Sequence, residues 1–541
     1  MANPDHSADI IIVGSGVAGA LAAAELAERG ADVLIVEAGP RITRDDALAT
    51  YYDNPSRNWP SGPYPDARYA PRPSYADPDA YVIQAGEDRF AASYERLVGG
   101  TTWHWEATSL RLLPSDFRLR SEFGLGEDWP ITYDDLEPWY GAAERALGVA
   151  GDPADDLGAV RTDDYPMPPM PLSYMDRQFS AALAGSPYVQ VTTPAARNTV
   201  AYAGRLACCG SNSCTPLCPS GAKYDALTHV EAAERAGARV LHDTVVHRIS
   251  IGDDRRVSTV GFKRPDGSEG TIGGRVFVLA AHAFETPKMM LMSRADATPD
   301  GVGNSSGLVG RNLMDHPYKA TWAIADRPVW PMRGPVAISS IENTRWGDWR
   351  AERPAFRVAI YNLGWGWATG APVTTINQFV DQGLEGEALS QAIRENVSRQ
   401  VMIASLTEQL PDPDNRIVPD FEHHDAIGIP RPKITYRFDD YTRRGMAASE
   451  AAHEDILALL GTDQPRHSPG VLAGSHIMGT CKMGRDPQTS VVDPDLRSHD
   501  HPNLLLLGSS VFPTGGAANP TLTIAALSLR AVEPVLETLS G

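Results

Sequence analysis

Four of the five cysteines lie together in the segment Cys208-Cys209-Gly-Ser-Asn-Ser-Cys214-Thr-Pro-Leu-Cys218-Pro219. A disulfide framework explains them poorly, because a chain this long has a large core of its own. A structural zinc site would prefer two separated C-x₂-C pairs, which this segment lacks. Its ending, C-x₃-C-P, is typical of iron–sulfur ligation. Adjacent cysteine side chains point apart, so we expect three ligands: Cys214, Cys218 and one of the neighbouring pair.

A second group of residues, His476 and Asn519, suits proton transfer, with the histidine as the proton acceptor. His476 opens the glycine-containing segment 476–484, and Asn519 precedes Pro520 and Thr521, where the last helix is predicted to begin. A neutral imidazole accepts a proton readily near pH 7, and a helix N-terminus stabilises nearby negative charge. Most of the fourteen histidines are expected to be structural, but these surroundings favour a catalytic base at His476.

The elements that would position these groups begin at the N-terminus. Residues 9–13 predict a strand, residues 20–29 an alanine-rich helix, and residues 33–37 a second strand. Between the first two lies Gly14-Ser15-Gly16-Val17-Ala18-Gly19. Gly14 would make the turn, Gly16 would let a pyrophosphate approach the backbone, and Gly19 would let helix pack on strand. Glu37, at the end of the second strand, would bind a ribose diol, so the segment predicts a Rossmann-like dinucleotide site.

Composition narrows the choice of partners. The chain has 541 residues and a formal net charge of −20, so its surface repels nucleic acid and anionic lipid. No run approaches the roughly 18 apolar residues of a membrane helix. The first residues lack the basic and apolar regions of an export signal. We therefore expect no direct membrane span, and export only with a partner's signal.

Three further segments resemble the glucose–methanol–choline (GMC) family of FAD-dependent oxidoreductases, and the resemblance runs the length of the chain. They are VGGTTWHW at 98–105, GNSSGLVGRNLMDHP at 303–317, and the C-terminal pair HIMGTCKMG at 476–484 with NPTLT at 519–523. The resemblance implies bound FAD, with His476 as the base before the isoalloxazine ring and Asn519 as its partner on the substrate oxygen. It also implies FAD contacts from a set of residues outside the first glycine turn: Gly99, Gly100, His104, Val246, Pro520 and Thr521.

The fold expected from this resemblance is α/β, or α+β overall, with a Rossmann-like FAD-binding domain and an inserted substrate domain on an antiparallel sheet. Residues 1–160, 200–320 and 471–541 are assigned to the FAD-binding domain, which includes the cysteine loop 205–222. Residues 161–199 and 321–470 are assigned to the substrate-binding domain. Residues 40–95 are expected to be surface loops, and the strands near 239–241, 245–251 and 276–281 to join the first sheet.

Within the family, the chain is similar to the FAD-dependent large subunits of bacterial sugar and polyol dehydrogenases, of the glucose, fructose, gluconate and glucoside-3-dehydrogenase type. Those proteins imply a [3Fe-4S] cluster, with Cys208 rather than Cys209 as the third ligand. They also imply a small escort subunit, a cytochrome c or another one-electron acceptor, and a place on the periplasmic face of the membrane through these partners. A cytoplasmic enzyme is the alternative.

The substrate is expected to be a sugar, glycoside or polyol. It is not narrowed to glucose or fructose, because residues 480–484 (TCKMG) differ from the Gly-Thr-Ile-Met-Gly of the glucose and fructose enzymes. The aromatic segment 361–367 could stack on a sugar ring or lie in the core, and Glu408 and residues 412–416 share this ambiguity. In pyranose oxidases, more distant relatives, a histidine at the position of His104 is covalently bound to the flavin. Covalent attachment and simple packing between Trp103 and Trp105 remain equal alternatives.

Three rival functions remain at this point. The first is an oxidase of the same fold that uses O₂, although an iron–sulfur cluster favours a dehydrogenase. The second is a redox-neutral flavoprotein lyase, whose flavin would stay oxidised with every alcohol. The third is a flavin-binding electron carrier without chemistry of its own.

Overall fold

The computed structural model describes residues 4–53, 62–73, 78–365 and 371–541. A parallel sheet of five short strands forms its centre. In spatial order these strands are Leu504–Leu506, Val276–Leu279, Ile10–Val13, Val33–Val36 and Arg239–Leu241. The strand Ile10–Val13 is the central one, and all four of its side chains are buried, which explains why it is a continuous apolar run.

Helices cover this sheet. The helix Val17–Glu28 follows the first glycine turn and packs against Leu227–Arg235 and Thr521–Arg530, and the latter also packs on Tyr133–Leu147. Thr132 caps the helix Tyr133–Leu147 by accepting from the Asp135 amide. The expected Rossmann-like α/β fold is therefore confirmed.

One of the strands predicted for the parallel sheet lies in a second sheet, so that prediction is wrong. The strand Val245–Ile251 does not join the parallel sheet, because it pairs with Val257–Lys263 in a separate four-stranded sheet. The other two strands of that sheet are Glu269–Gly273 and His6–Ser7. Its hairpins still return the chain to the parallel sheet at Val276–Leu279.

The second half of the chain builds a six-stranded antiparallel sheet. Its strands in spatial order are Thr462–His467, Tyr318–Ala325, Gln400–Thr407, Phe356–Tyr361, Ala337–Ile341 and Gln190–Thr192. Side chains alternate between its faces. Val358 and Ile360 pack in a core with the helices Asp440–Leu460 and Tyr174–Leu183, whereas Ala359 and Tyr361 face the cysteine loop.

The described residues between 40 and 95 form more regular structure than the predicted surface loops. The helix Arg44–Asp53 lies there, and the strand Ile83–Gln84 pairs with Pro430–Thr435, which in turn pairs with Arg416–His424. Tyr81, Phe90 and Tyr94 are each 2% exposed or less and pack with Phe284. The prediction failed because this aromatic core has no period along the sequence.

The remaining helices are Leu119–Phe123, His282–Met292, Ala371–Asp381, Gly386–Val397 and Val532–Ser540. The helix that begins at Thr521 ends at Arg530, and after Ala531 a further helix carries Pro534 in its first turn, where proline is tolerated. Across the described ranges, no helix is both long and apolar enough to cross a lipid bilayer.

Replacing Gly19 with alanine is expected to destabilise the unliganded protein. A Cβ there would lie 2.0 Å from Gly14 O and 3.1 Å from Ile12 Cγ2, so the helix must move off the strand, at a cost of about 1–3 kcal/mol. Thermal unfolding measures this loss. Gly16→Ala is the matched control, since nothing lies within 4 Å of its added Cβ. Equal unfolding temperatures for the two variants would show that Gly19 is not a close-packing position.

Candidate functional site

A cavity of about 730 Å³ runs from the first glycine turn to the C-terminal segment. Most of the predicted cofactor and catalytic residues line it: Gly14, Gly16, Glu37, Gly100, His104, Val246, His476, Asn519, Pro520 and Thr521. Gly19 lies behind the turn at the helix–strand contact, and Gly99 donates from its amide to Ser15 Oγ. Residues that are distant in sequence therefore meet at one cavity.

The glycine turn leaves room for a ligand. Gly14 has φ +105°, and a Cβ there would lie 2.4 Å from Ala280 O, so only glycine fits. A Cβ on Gly16 would project into open space. A Cβ on Gly100 would come within 3.2 Å of Gly16 Cα, so the two glycine turns are in contact where they line the cavity. This cradle suits a pyrophosphate that needs close backbone approach.

Glu37 is held rigidly at the edge of the cavity. Its Oε2 accepts from Ser15 N at 3.0 Å and from Ser15 Oγ at 2.6 Å, and its Oε1 accepts from Gly39 N at 3.0 Å. The side chain is only 6% exposed. A fixed carboxylate beside the glycine turn suits the ribose diol of a dinucleotide.

His476 and Asn519 meet at the opposite end. Asn519 Nδ2 lies 3.2 Å from His476 Nε2, and His476 Nδ1 lies 3.0 Å from Nδ1 of His316. Burial lowers the pKa of His476 well below its usual 6.5, and the neighbouring His316 and Arg357 lower it further. The ring is therefore neutral near pH 7 and able to accept a proton.

The segment that carries His476 is clamped by a buried carboxylate. Asp315 Oδ1 accepts from His476 N and from His316 N, both at 2.7 Å, and Oδ2 accepts from Ser475 N at 3.2 Å. Burial raises the pKa of Asp315 to about 7, and the backbone donors oppose the rise. Gly474 and Gly479 allow this close approach, since Cβ atoms there would lie 2.4 Å from His316 O and 2.0 Å from Asn312 O.

The loop around His104 separates the cavity from the cysteines. His104 is 6% exposed, and its Nδ1 lies 3.3 Å from Glu95 Oε1. Behind it, the buried Lys223 donates to Trp103 O at 2.8 Å and to Trp105 O at 2.6 Å. Burial lowers the pKa of Lys223 to about 8, while Cys218 and Cys214 raise it. The cysteine loop therefore lies directly behind the loop that lines the cavity, and Thr215 reaches the cavity itself.

The four clustered cysteines differ in their surroundings. Cys214 and Cys218 are buried, Cys208 is partly buried and Cys209 is exposed. Burial raises the pKa of the Cys208 thiol, and the neighbouring Cys214 and Cys218 act in the same direction. Burial also acts to raise the pKa of Cys218, but the Lys223 amide and ammonium outweigh it and lower the pKa. This donor set fits an iron–sulfur cluster.

The substrate side of the cavity is formed by the antiparallel sheet and its loops. Glu106, Tyr318 and Tyr361 line it together with Leu406 and Leu472. Burial raises the pKa of Glu106, although a hydrogen bond with Tyr361 lowers it. This part of the cavity therefore offers both rings and hydrogen-bonding groups, as a polyhydroxylated ligand requires.

The other residues considered as candidates in the sequence analysis make structural contacts. Glu408 is buried against Arg350, with Oε1 2.8 Å from the guanidinium, and Asp412 pairs with Arg437 on the surface. Trp365 donates to Val401 O, and residues 366 and 367 of the aromatic segment lie outside the described residues. Cys481 is fully buried beside Met290, as expected of a core residue.

Sequence reasoning missed Asp315 and His316 as functional residues. Both lie in the segment 303–317, which was singled out only for its likeness to a flavin-contacting loop. Their contact with His476 spans 160 residues or more, so no local pattern predicts it.

Comparison with known proteins gives a consistent result. Two GMC oxidoreductase family models match residues 175–318 and 411–528, and an NAD(P)-binding Rossmann-like domain model matches residues 12–68. The fructose dehydrogenase large subunit of Gluconobacter japonicus is 38% identical over 100% of this chain and 99% of that protein. The paromamine 6′-oxidase of Streptomyces fradiae is 29% identical over 98% of this chain and 92% of that protein.

Solved structures show the same fold. Pyridoxine 4-oxidase from Mesorbium loti superposes with a TM-score of 0.64 and 20% identity, covering 98% of this chain and 99% of that one. The Rossmann-like fold and these relatives define the chain as a flavin-dependent oxidoreductase of CH–OH groups. The chain belongs to the GMC oxidoreductase family, whose cofactor is FAD. The resemblance to bacterial sugar dehydrogenase large subunits is also confirmed.

Replacing Asp315 with asparagine is expected to lower both stability and the rate of flavin reduction. The new amide NH₂ would face backbone N–H donors, and hydrogen bonds to a charged group are worth about 1.5–3 kcal/mol. Thermal unfolding and anaerobic stopped-flow measure the two losses. Asp266→Asn is the matched control, because that carboxylate accepts from Ser268 N at 2.9 Å in an exposed turn. If Asp315→Asn behaved like Asp266→Asn, the clamp would have no role.

Proposed function

We propose that this chain is a dehydrogenase that oxidises a hydroxyl group of a sugar, glycoside or polyol. The observation that carries the proposal is the neutral His476 ring, held by Asn519 at the end of the FAD cavity. FAD, when bound, accepts the hydride from the carbinol carbon. His476 accepts the hydroxyl proton at Nε2, and the Asn519 amide orients the substrate oxygen beside it.

The cavity lining supports a polyhydroxylated substrate. Glu106 offers a carboxyl group, and Tyr318 and Tyr361 offer both phenol hydroxyls and ring faces. The likeness to a fructose dehydrogenase large subunit makes D-fructose the first probe, although the TCKMG segment differs from the one expected in fructose enzymes.

An iron–sulfur cluster, proposed as [3Fe-4S], is assigned to Cys208, Cys214 and Cys218. Burial supports this ligand set, since Cys214 and Cys218 are buried, Cys208 is partly buried and interacts with both, and Cys209 is exposed. Such a cluster exchanges single electrons with an external acceptor. The likeness to a protein named as a large subunit supports a small escort subunit and a cytochrome c or similar acceptor, and through them a periplasmic location.

An oxidase is the second candidate, because several relatives, paromamine 6′-oxidase among them, are named oxidases. Measurements in air distinguish the oxidase from the dehydrogenase. An oxidase would form hydrogen peroxide stoichiometrically with sugar oxidation and would contain no iron, whereas the proposed dehydrogenase needs an added one-electron acceptor. A lyase would leave the flavin oxidised with every alcohol.

His476→Ala is expected to slow reduction of the bound flavin by D-fructose at least about a hundredfold, because general-base catalysis contributes roughly 10²–10⁴ in rate. Anaerobic stopped-flow absorbance measures the rate. In the wild type, the loss of rate that follows protonation of His476 should appear only below the ordinary histidine pKa of about 6.5, because the pKa of His476 is lowered. A separate, smaller fall near pH 7 is expected from protonation of Asp315, whose pKa is about 7. His424→Ala, at an exposed strand residue, is the control. A His476→Ala rate equal to that of the control would exclude His476 as the base.

Cys214→Ser is expected to lose iron but to keep FAD and sugar-dependent flavin reduction. Turnover with a one-electron acceptor should fall, because the cluster ligand is lost. Iron analysis and electron spin resonance of anaerobically purified protein measure the cluster. Cys209→Ser is the control and should keep its iron. Wild-type protein purified without oxygen that held no iron would overturn the assignment, and iron loss from Cys209→Ser would overturn the choice of ligands.

A further inference from the structure

The ring of His316 lies between the proposed base and a backbone carbonyl, where no sequence motif assigns it a role. We infer that His316 is a positioning residue that fixes His476 in the tautomer with its proton on Nδ1. Nε2 is then unprotonated and can accept the substrate proton when the substrate hydroxyl replaces the Asn519 amide as its partner. The inference rests on the proposed function, because it takes His476 as the base.

The argument starts from Gly516, whose carbonyl oxygen can only accept hydrogen bonds. His316 Nε2 lies 3.0 Å from this oxygen, so Nε2 must carry a proton. If the proton were on Nδ1, a nitrogen lone pair would face the carbonyl lone pairs at this distance. That arrangement would leave a buried acceptor unsatisfied.

The second nitrogen of His316 is then an acceptor. Burial lowers the pKa of His316 to about 4, so the ring is neutral near pH 7 and carries one proton. The groups that act on this ring are Arg357, which lowers its pKa, and Asp116 with the carbonyls of Gly515 and Gly516, which raise it. Burial dominates, and Nδ1 carries a lone pair.

The tautomer of His476 follows directly. Its Nδ1 lies 3.0 Å from His316 Nδ1, with the two rings 83° apart, so His476 must donate this hydrogen bond. A neutral His476 with its proton on Nδ1 has its lone pair on Nε2. That lone pair faces Asn519 Nδ2 at 3.2 Å, and an amide NH₂ can only donate.

The same chain of donors orients Asn519. With Nδ2 turned toward His476, Oδ1 is the free acceptor, and among the described residues nothing donates a hydrogen bond to this buried oxygen. A substrate hydroxyl can therefore donate toward Oδ1 or Nε2. One carbonyl, Gly516 O, thus sets the orientation of three side chains in sequence.

Two variants of His316 separate positioning from packing. Glutamine carries an acceptor oxygen and a donor nitrogen on one carbon, as the imidazole does, whereas leucine carries neither. His316→Leu leaves the His476 Nδ1–H buried without an acceptor, which favours the inactive tautomer. We expect flavin reduction by D-fructose to slow roughly 10- to 100-fold, less than the 10²–10⁴ that the base contributes in full. His316→Gln should recover most of this rate, with FAD content and the sugar dissociation constant unchanged in both variants.

His476→Ala distinguishes the failure of this inference from the failure of the proposed function. If His476→Ala is slow and His316→Leu is as fast as the wild type, only the inference is wrong. If His476→Ala itself is fast, the proposed function is wrong. In the double variant, His316→Leu should add no further loss to His476→Ala, because it acts through that ring. An additional loss would indicate a separate role for His316.

A direct measurement of the tautomer needs no substrate and no variant of His316. Nitrogen-15 NMR of protein labelled at the histidine rings distinguishes N–H from bare nitrogen, with His476 assigned by the signal missing in His476→Ala or, if that variant does not fold, in His476→Gln. The expected result is a proton on Nδ1 and a bare Nε2 in His476 at pH 7. A proton on Nε2 of His476 would overturn the inference.

Discussion

The site depends on keeping one imidazole uncharged and correctly oriented inside the protein. Burial keeps His476 neutral, and the neighbouring His316 and Arg357 lower its pKa further. Orientation is a separate requirement, because a neutral ring has two tautomers and can rotate. The Asp315 carboxylate accepts from the amides of Ser475 and His476, and His316 and Asn519 occupy the two ring nitrogens. Each nitrogen of the proposed base therefore has a defined partner.

This arrangement requires three distant segments to converge. The segment around Asp315 follows the parallel-sheet half of the chain, the segment around His476 returns from the antiparallel sheet, and Gly516 and Asn519 precede the final helix. Met314 and Met478 exchange backbone hydrogen bonds at 3.0 and 2.9 Å, which ties the first two segments together. The cavity consequently has FAD-binding glycine turns on one side and the antiparallel sheet on the other.

The sequence predicted the parts of this architecture that have local signatures. The Gly14–Gly19 turn, the strand before it and Glu37 after it form one short unit, and the Asn-Pro-Thr start of the last helix is equally local. Prediction from the sequence failed where the pairing of distant segments decides the structure. The strand Val245–Ile251 is apolar enough for either sheet, and only its hairpin partner Val257–Lys263 assigns it to the second. The aromatic core around Tyr81 and Phe284 is likewise non-local. His316 was missed for the same reason, since a role defined by contacts across 160 and 200 residues leaves no periodic trace.

The central claim is that a carbinol hydride leaves the substrate for the bound flavin while this imidazole takes the proton. Anaerobic titration of the FAD-loaded wild-type chain with sugars and polyols, including D-fructose, D-glucose, D-gluconate and D-sorbitol, tests it most directly through the visible absorbance of the flavin. The account predicts that at least one of them bleaches the oxidised flavin without oxygen. A correctly folded chain that failed to hold FAD, or a flavin that stayed oxidised with every compound, would contradict it.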